Sequence, residues 1–173
     1  MYKKKGIIFW IEGLSGSGKT SIAKKIRKKI SEKYGKTIVI NGDDLRYIFQ
    51  LKDYTANGRV KNFANYIKLA KFLSNQNVNV IFTVVGLNPI LCNFLEKKVK
   101  NIVRILIKSN IRAITKFGKK KIYQNKKNVV GLDIRVNWPK KVDIKIVNNF
   151  SKSIDQLAEK ILNQISKKIN EKF

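Results

Sequence analysis

A chain of 173 residues, 43% of them hydrophobic, suffices for one packed domain over residues 1–173, and no apolar run approaches the roughly 20 residues of a membrane span, so no membrane partner is expected. The 38 Lys and Arg against 11 Asp and Glu leave a net charge of +27, which either draws nucleic acid or gathers small polyanions. The lysines are scattered among Asn and Ile rather than gathered into an arginine-rich stripe, which favours coding bias with anionic substrates over nucleic acid, and the lone Cys92 excludes an internal disulfide and fits the cytoplasm.

The basic start, Met1-Tyr2-Lys3-Lys4-Lys5, leads at once into the apolar run Ile7-Ile8-Phe9-Trp10-Ile11, so a cleavable leader is not expected. That run reads as a first strand. It passes through Glu12 into Gly13-Leu14-Ser15-Gly16-Ser17-Gly18-Lys19-Thr20, the Gly-x-x-x-x-Gly-Lys-Thr spacing of a P-loop, and a helical pattern begins at about Thr20. Strand, glycine loop and helix in this order make a chance match an unattractive alternative. Gly13, Gly16 and Gly18 let the backbone turn tightly and come close to phosphate oxygens. Successive N–H groups and the positive helix end then surround the anion. Lys19 is placed to reach β- and γ-phosphates, Thr20 to hold Mg²⁺, with Ser15, Ser17 and Ser21 lining the same ATP phosphate site.

The first helix, about Thr20 to Tyr34, sets Ile22, Ile26 and Ile30 on one face, with Lys24, Lys25, Lys28 and Lys29 on its solvated side; Gly35 ends it. Thr37-Ile38-Val39-Ile40 predicts a second strand that runs out into Asn41-Gly42-Asp43-Asp44-Leu45-Arg46. An acidic pair at a strand's C-terminal end sits where parallel sheets carry their chemistry, although one of the two aspartates serves equally well as a helix cap. Leu51 to Gly58 reads as loop, and a long helix follows from Arg59 to Asn77, burying Phe63, Ile67, Ala70 and Leu73 or Ser74. Val78 to Val85 is the third strand, nearly continuous in apolar residues. A short helix from Asn88-Pro89 to Lys98, a fourth strand over Ile102 to Ile107 and a helix over Asn110 to Phe117 come next. Gly118 to Val130 carries five lysines, which suits equally a lid over phosphates and a plain solvated loop. Val142 to Val147 is a fifth strand, and Ser151 is the expected cap of a last helix. Alternating strands and helices define an α/β class, a P-loop NTPase fold with a five-stranded parallel sheet flanked by helices.

The glycine loop, then Asn41-Gly42-Asp43-Asp44-Leu45-Arg46, then Val130-Gly131-Leu132-Asp133, resemble the adenylylsulfate kinase family, whose corresponding stretches read GLSGSGKST, DGDNxR and FTGID. Arg59 and Asn62 match the family's Arg-x-x-Asn, Leu69-Ala70-Lys71-Phe72 is similar to its VAKLF, and Tyr123 falls at its Leu-Tyr. The resemblance implies phosphoryl transfer from MgATP to the ribose 3′-hydroxyl of a nucleotide. It implies catalytic roles for Lys19 and Asp43, with Thr20 and Asp43 nearest the metal, since the third strand carries no aspartate. Arg46, Arg59, Asn62, Val129, Val130 and Leu132 would join Asp43 in binding the acceptor.

Departures gather on the acceptor side. Asn62-Phe63-Ala64-Asn65 stands for Asn-Ile-Arg-Arg, Val84-Val85-Gly86-Leu87-Asn88 for Phe-Ile-Ser-Pro-Tyr, and Val129 for a stacking phenylalanine. Within the family, the chain looks most like the cytidine diphosphoramidate kinases that serve capsule modification, a smaller base suiting Val129. An ordinary adenylylsulfate acceptor, a nucleoside or nucleotide acceptor, and a basic P-loop protein without turnover are the alternatives. The implied partners are ATP, Mg²⁺, a small nucleotide and, possible within this reading, a second copy of the chain.

Overall fold

Strands form here where β-branched and aromatic residues run without interruption. In the computed structural model, which describes residues 5–117, 123 and 128–173, these runs become five strands. They are β1 (Ile8–Gly13), β2 (Thr37–Asn41), β3 (Asn79–Val84), β4 (Ile102–Lys108) and β5 (Ile144–Val147). The helices among the described residues are α1 (Lys19–Tyr34), α2 (Gly42–Ile48), α3 (Ala56–Asn75), α4 (Pro89–Lys98), α5 (Ile111–Phe117) and, after β5, α6 (Ile154–Lys172). All pairings are parallel, in the order β2-β3-β1-β4-β5, so β1 is central and the glycine loop leaves from the middle of the sheet.

Both faces of the sheet are covered, as a parallel sheet requires. On one, Ile22, Ala23, Ile26 and Ile30 of α1 and Leu157, Ile161 and Ile165 of α6 pack on Phe9, Ile11, Ile81 and Ile105. On the other, Phe63, Tyr66, Ile67 and Ala70 of α3 meet Ile8, Trp10, Val80 and Phe82. Trp10 stacks on Phe82 at 4.8 Å and meets Phe63 edge-on at 5.0 Å, the largest rings of that core. A third cluster joins Leu14 to Leu87, Leu106, Ile114 and Val130 above the strand ends.

The element ends depart from expectation where side chains compete for backbone groups. Helix α3 starts at Ala56 rather than Arg59, because Thr55 caps it by accepting from Gly58 N at 3.2 Å; it ends at Asn75, with Ser74 rather than Leu73 buried. Strand β5 starts at Ile144 rather than Val142, because the Asp143 carboxylate, not a backbone carbonyl, takes the Arg104 N–H at 2.7 Å. The cap of α6 is Ser153, not Ser151. Ser153 and Gln156 form a reciprocal capping box, whereas the Ser151 hydroxyl donates to Asn149 Oδ1 at 2.7 Å.

At the opposite end of the sheet, buried Asn79 joins three segments. Its Oδ1 accepts from Ile7 N at 2.8 Å, and its Nδ2 donates to Tyr34 O at 2.9 Å and Gly35 O at 3.0 Å. Asn79→Leu strands these backbone groups, at a cost of about 3 kcal/mol. Thermal melting should fall by roughly 6–12 °C. An unchanged melting temperature would show that the three ties are dispensable.

Candidate active site

The donor half is built by backbone geometry. Gly13 closes β1, and a Cβ there would strike the Ile107 carbonyl oxygen of β4, so only glycine allows this approach. Gly18 takes the N-cap position of α1 at φ 91°, in the left-handed region, and no side chain caps the helix. The leading N–H groups of α1 thus face the loop, where an anion would satisfy them. Ser15, Gly16, Gly18 and Thr20 are half-buried, Ser21 is exposed, and Ser17 is sealed within the loop.

Three ties hold the loop. Lys19 is 8% exposed, and its Nζ donates to Leu14 O at 2.7 Å, so the ammonium lies along the loop it is expected to serve. Asn148, just past β5, donates from Nδ2 to Ser17 O at 3.1 Å. The Tyr123 hydroxyl donates to Ser15 O at 2.8 Å, and burial pushes this phenol up to about 12, so it remains a donor at neutral pH. Sequence reasoning missed Asn148; its only signal was a polar residue at the sheet's C-terminal edge. Apart from Tyr123 and Asn128 to Val130, the expected lid over Gly118 to Val130 lies outside the described residues.

Directly before the loop, Glu12 carries a fully buried carboxylate, and Arg104 Nη2 of β4 meets its Oε1 at 2.8 Å. Burial lowers and the Glu12 charge raises the Arg104 guanidinium, and the net direction is up. The other carboxylate oxygen lies beside Gly86, where a Cβ would come within 3.2 Å of it. A buried ion pair abutting the glycine loop was invisible in the sequence, since Glu12 reads there as part of the motif's flank.

The acceptor half rests on α2 and the start of α3. Neither aspartate caps α2. Asn41 does, its Oδ1 accepting from Asp43 N at 3.3 Å, which leaves Asp43 and Asp44 exposed in the first turn. Arg46 Nη1 donates to Leu51 O at 2.9 Å and Asp53 O at 3.0 Å; Arg59 donates to Tyr54 O at 2.9 Å and to Asn128 O at 2.8 Å. The half-exposed Tyr54 ring collects both cations, with the Arg46 guanidinium 4.3 Å and that of Arg59 5.7 Å from its centre. Burial first and the Arg46 charge second lower the Arg59 guanidinium, against the pull of Tyr54 and Asp43. Asp43, Arg46 and Arg59 therefore gather with Tyr54 and Tyr66, two residues that sequence reasoning had passed over.

The remaining expected residues fall elsewhere in the packing. Asn62 is buried on α3, Val130 packs with Leu14 and Leu106, and the Leu132 side chain is half exposed. Val129 is 5% exposed, with its N–H on Asp133 Oδ2 at 3.0 Å, and it is the preceding Asn128 carbonyl that meets Arg59.

A glycine loop at the centre of a 2-3-1-4-5 parallel sheet, with an acidic and arginine-bearing cluster beside it, defines a P-loop kinase. The family model described as Adenylylsulphate kinase matches residues 5–147, and the chain belongs to that family. Cytidine diphosphoramidate kinase of Campylobacter jejuni subsp. jejuni serotype O:2 is 31% identical over 169 residues, 95% of this chain and 99% of the relative. An adenylyl-sulfate kinase of Clostridium acetobutylicum is 28% identical, covering 92% of this chain and 84% of its own. Among solved structures, the Mycobacterium tuberculosis APS kinase in complex with AMPPNP and APS shares the fold at a TM-score of 0.83 and 20% identity, covering 95% and 99% of the two chains. The chain is an ATP-dependent phosphotransferase with small-molecule nucleotide substrates. None of its described helices is long and apolar enough to cross a membrane.

The buried ion pair yields a stability test. Arg104→Met leaves the Glu12 carboxylate without its guanidinium, a change that typically costs about 3–5 kcal/mol. Urea unfolding should show the loss, and Glu12→Gln combined with Arg104→Met should recover part of it. Equal stability of Arg104→Met and the parent would mean that the pair is not needed.

Proposed function

We propose that the enzyme transfers the γ-phosphoryl group of ATP to the ribose 3′-hydroxyl of a nucleotide, with cytidine diphosphoramidate as the favoured acceptor. The observation that carries this is the cluster of Asp43, Arg46, Tyr54 and Arg59 on the β2 side of the glycine loop. Asp43 accepts the proton of the acceptor hydroxyl as its oxygen bonds to the γ-phosphorus. The bond from that phosphorus to the β–γ bridging oxygen breaks, releasing ADP. Lys19 and the loop N–H groups steady the charge that builds on the phosphate oxygens. Arg46 and Arg59, held by loop carbonyls and the Tyr54 ring, bring fixed positive charge to the acceptor's phosphates.

Mg²⁺ fits the donor chemistry: Thr20 and Asp43 offer the hard oxygens that would hold it beside the phosphates. When bound, it neutralises charge on the β- and γ-phosphates. A homodimer and a cytoplasmic location complete this reading, the first supported by the exposed Tyr47-Ile48-Phe49 run at the end of α2.

Adenylylsulfate is the second acceptor to weigh, since a relative bears that name. Buried Val129 offers no aromatic face, and base–aromatic contact is typically worth about 1–3 kcal/mol. A missing arginine contact removes roughly 1.5–3 kcal/mol more. Comparing kcat/KM for the two acceptors under one MgATP concentration should favour cytidine diphosphoramidate by about two orders of magnitude. A preference for adenylylsulfate would reverse the assignment.

Lys19→Ala should lower kcat roughly 10²- to 10³-fold in a folded protein. Asp43→Asn should lower kcat far more than it changes KM for ATP, while Asp44→Asn is milder. Parental turnover in Lys19→Ala, or the reverse ranking of the aspartates, would remove the role given to each.

A further inference from the structure

The turn that carries Asp43 is held from outside its own helix. α2 has only 7 residues, too few to fix its own first turn firmly. Two buried hydroxyls from other elements grip it. Thr83, the one polar residue in the run Val80 to Val84 of β3, is 1% exposed, and its hydroxyl donates to Asn41 Oδ1 at 3.2 Å. That same Oδ1 accepts the Asp43 N–H at 3.3 Å. From α3, Tyr66 is 7% exposed, rests its ring 5.4 Å from that of Phe82, and donates its hydroxyl to Gly42 O at 3.2 Å. Gly42 fits between them: a Cβ there would lie 3.3 Å from Thr83 O and 3.5 Å from the Tyr66 ring. Residues 41, 42 and 43 are thus each bound, directly or through one acceptor, to a side chain planted in the core. A buried hydroxyl costs stability unless it is bonded, and here the bonds that satisfy both hydroxyls run to the turn before Asp43.

We propose that Thr83 and Tyr66 are positioning residues for phosphoryl transfer, fixing through Asn41 and Gly42 the direction in which α2 presents Asp43. This rests on the role given to Asp43 above. Thr83 is sealed from solvent, and its hydroxyl reaches the turn through Asn41. Tyr66 acts on the carbonyl immediately before Asp43, from the face of α2 turned toward the sheet. Together they leave the Asp43 carboxylate exposed while its backbone is fixed.

The test uses Tyr66→Phe and Thr83→Val, which keep ring and branch, with Thr83→Ser to restore the hydroxyl, each also built on Asp43→Asn. Steady-state turnover with MgATP is measured on cytidine diphosphoramidate and on adenylylsulfate. Each hydroxyl deletion should lower kcat roughly tenfold while KM for ATP stays within about twofold, and Thr83→Ser should stay near the parent. On the Asp43→Asn background neither deletion should lower kcat further. Parental kcat in both deletions, with Asp43→Asn impaired, overturns the positioning role and leaves Asp43 standing. Parental kcat in Asp43→Asn overturns the role of Asp43 and this proposal with it. An equal fall on both backgrounds places the effect elsewhere and also overturns it.

Discussion

Between the last residue of β1 and the first of α1 the chain has five residues, 14 to 18, in which to reverse its course and turn its N–H groups inward. That constraint orders the rest. It needs glycine at 13, where the backbone presses on the Ile107 carbonyl, and at 18, where the chain enters α1 left-handed. It needs β1 at the centre, so that β3 and β4 fix its end from both sides. It also needs the loop's carbonyls to be occupied. Lys19, Asn148 and Tyr123 take those of Leu14, Ser17 and Ser15, which keeps the opposite, N–H side of the loop available to phosphate.

The two halves of the site are made of different material. The donor half is backbone, shaped by glycines and a helix start, and tolerates little change. The acceptor half is side chains on α2 and at the start of α3, which can be exchanged without moving a strand. Burial first and the Arg46 charge second lower the Arg59 guanidinium, yet each arginine is fastened by carbonyls of the 51 to 54 loop and by the Tyr54 ring. They stabilise the loop that holds them, so positive charge stays beside Asp43 whether or not a ligand is there. This arrangement lets a family keep its phosphate donor while acceptors vary.

How much of this the sequence showed follows from how local each feature is. Strand runs and helix faces follow from periodicity, and the sheet, both layers and the glycine loop are where the pattern puts them. Caps were less legible. Thr55 and Ser153 compete with neighbouring serines and aspartates that look equally suitable, and only the bonding of Gly58 and Gln156 separates them. Least legible were features that join distant residues. Glu12 and Arg104 are 92 positions apart, Tyr66 and Gly42 are 24, and no spacing rule connects either pair. Tyr54 gave a weak signal, an aromatic in a polar loop, but its meaning depends on two arginines from different helices meeting at its ring.

The net charge of +27 gains a more definite meaning once its positions are known. Lys24, Lys28 and Lys29 project from α1 into solvent, away from the strand ends, where they raise solubility and long-range attraction for anions without touching the site. At the site itself, Lys19, Arg46 and Arg59 are fixed by bonds to backbone carbonyls, and these three are buried or partly buried, where charge is screened least. Their energetic weight per charge therefore exceeds that of the exposed lysines. An enzyme with a neutralised surface but these three intact would keep its phosphate chemistry and lose mainly its rate of capturing anions.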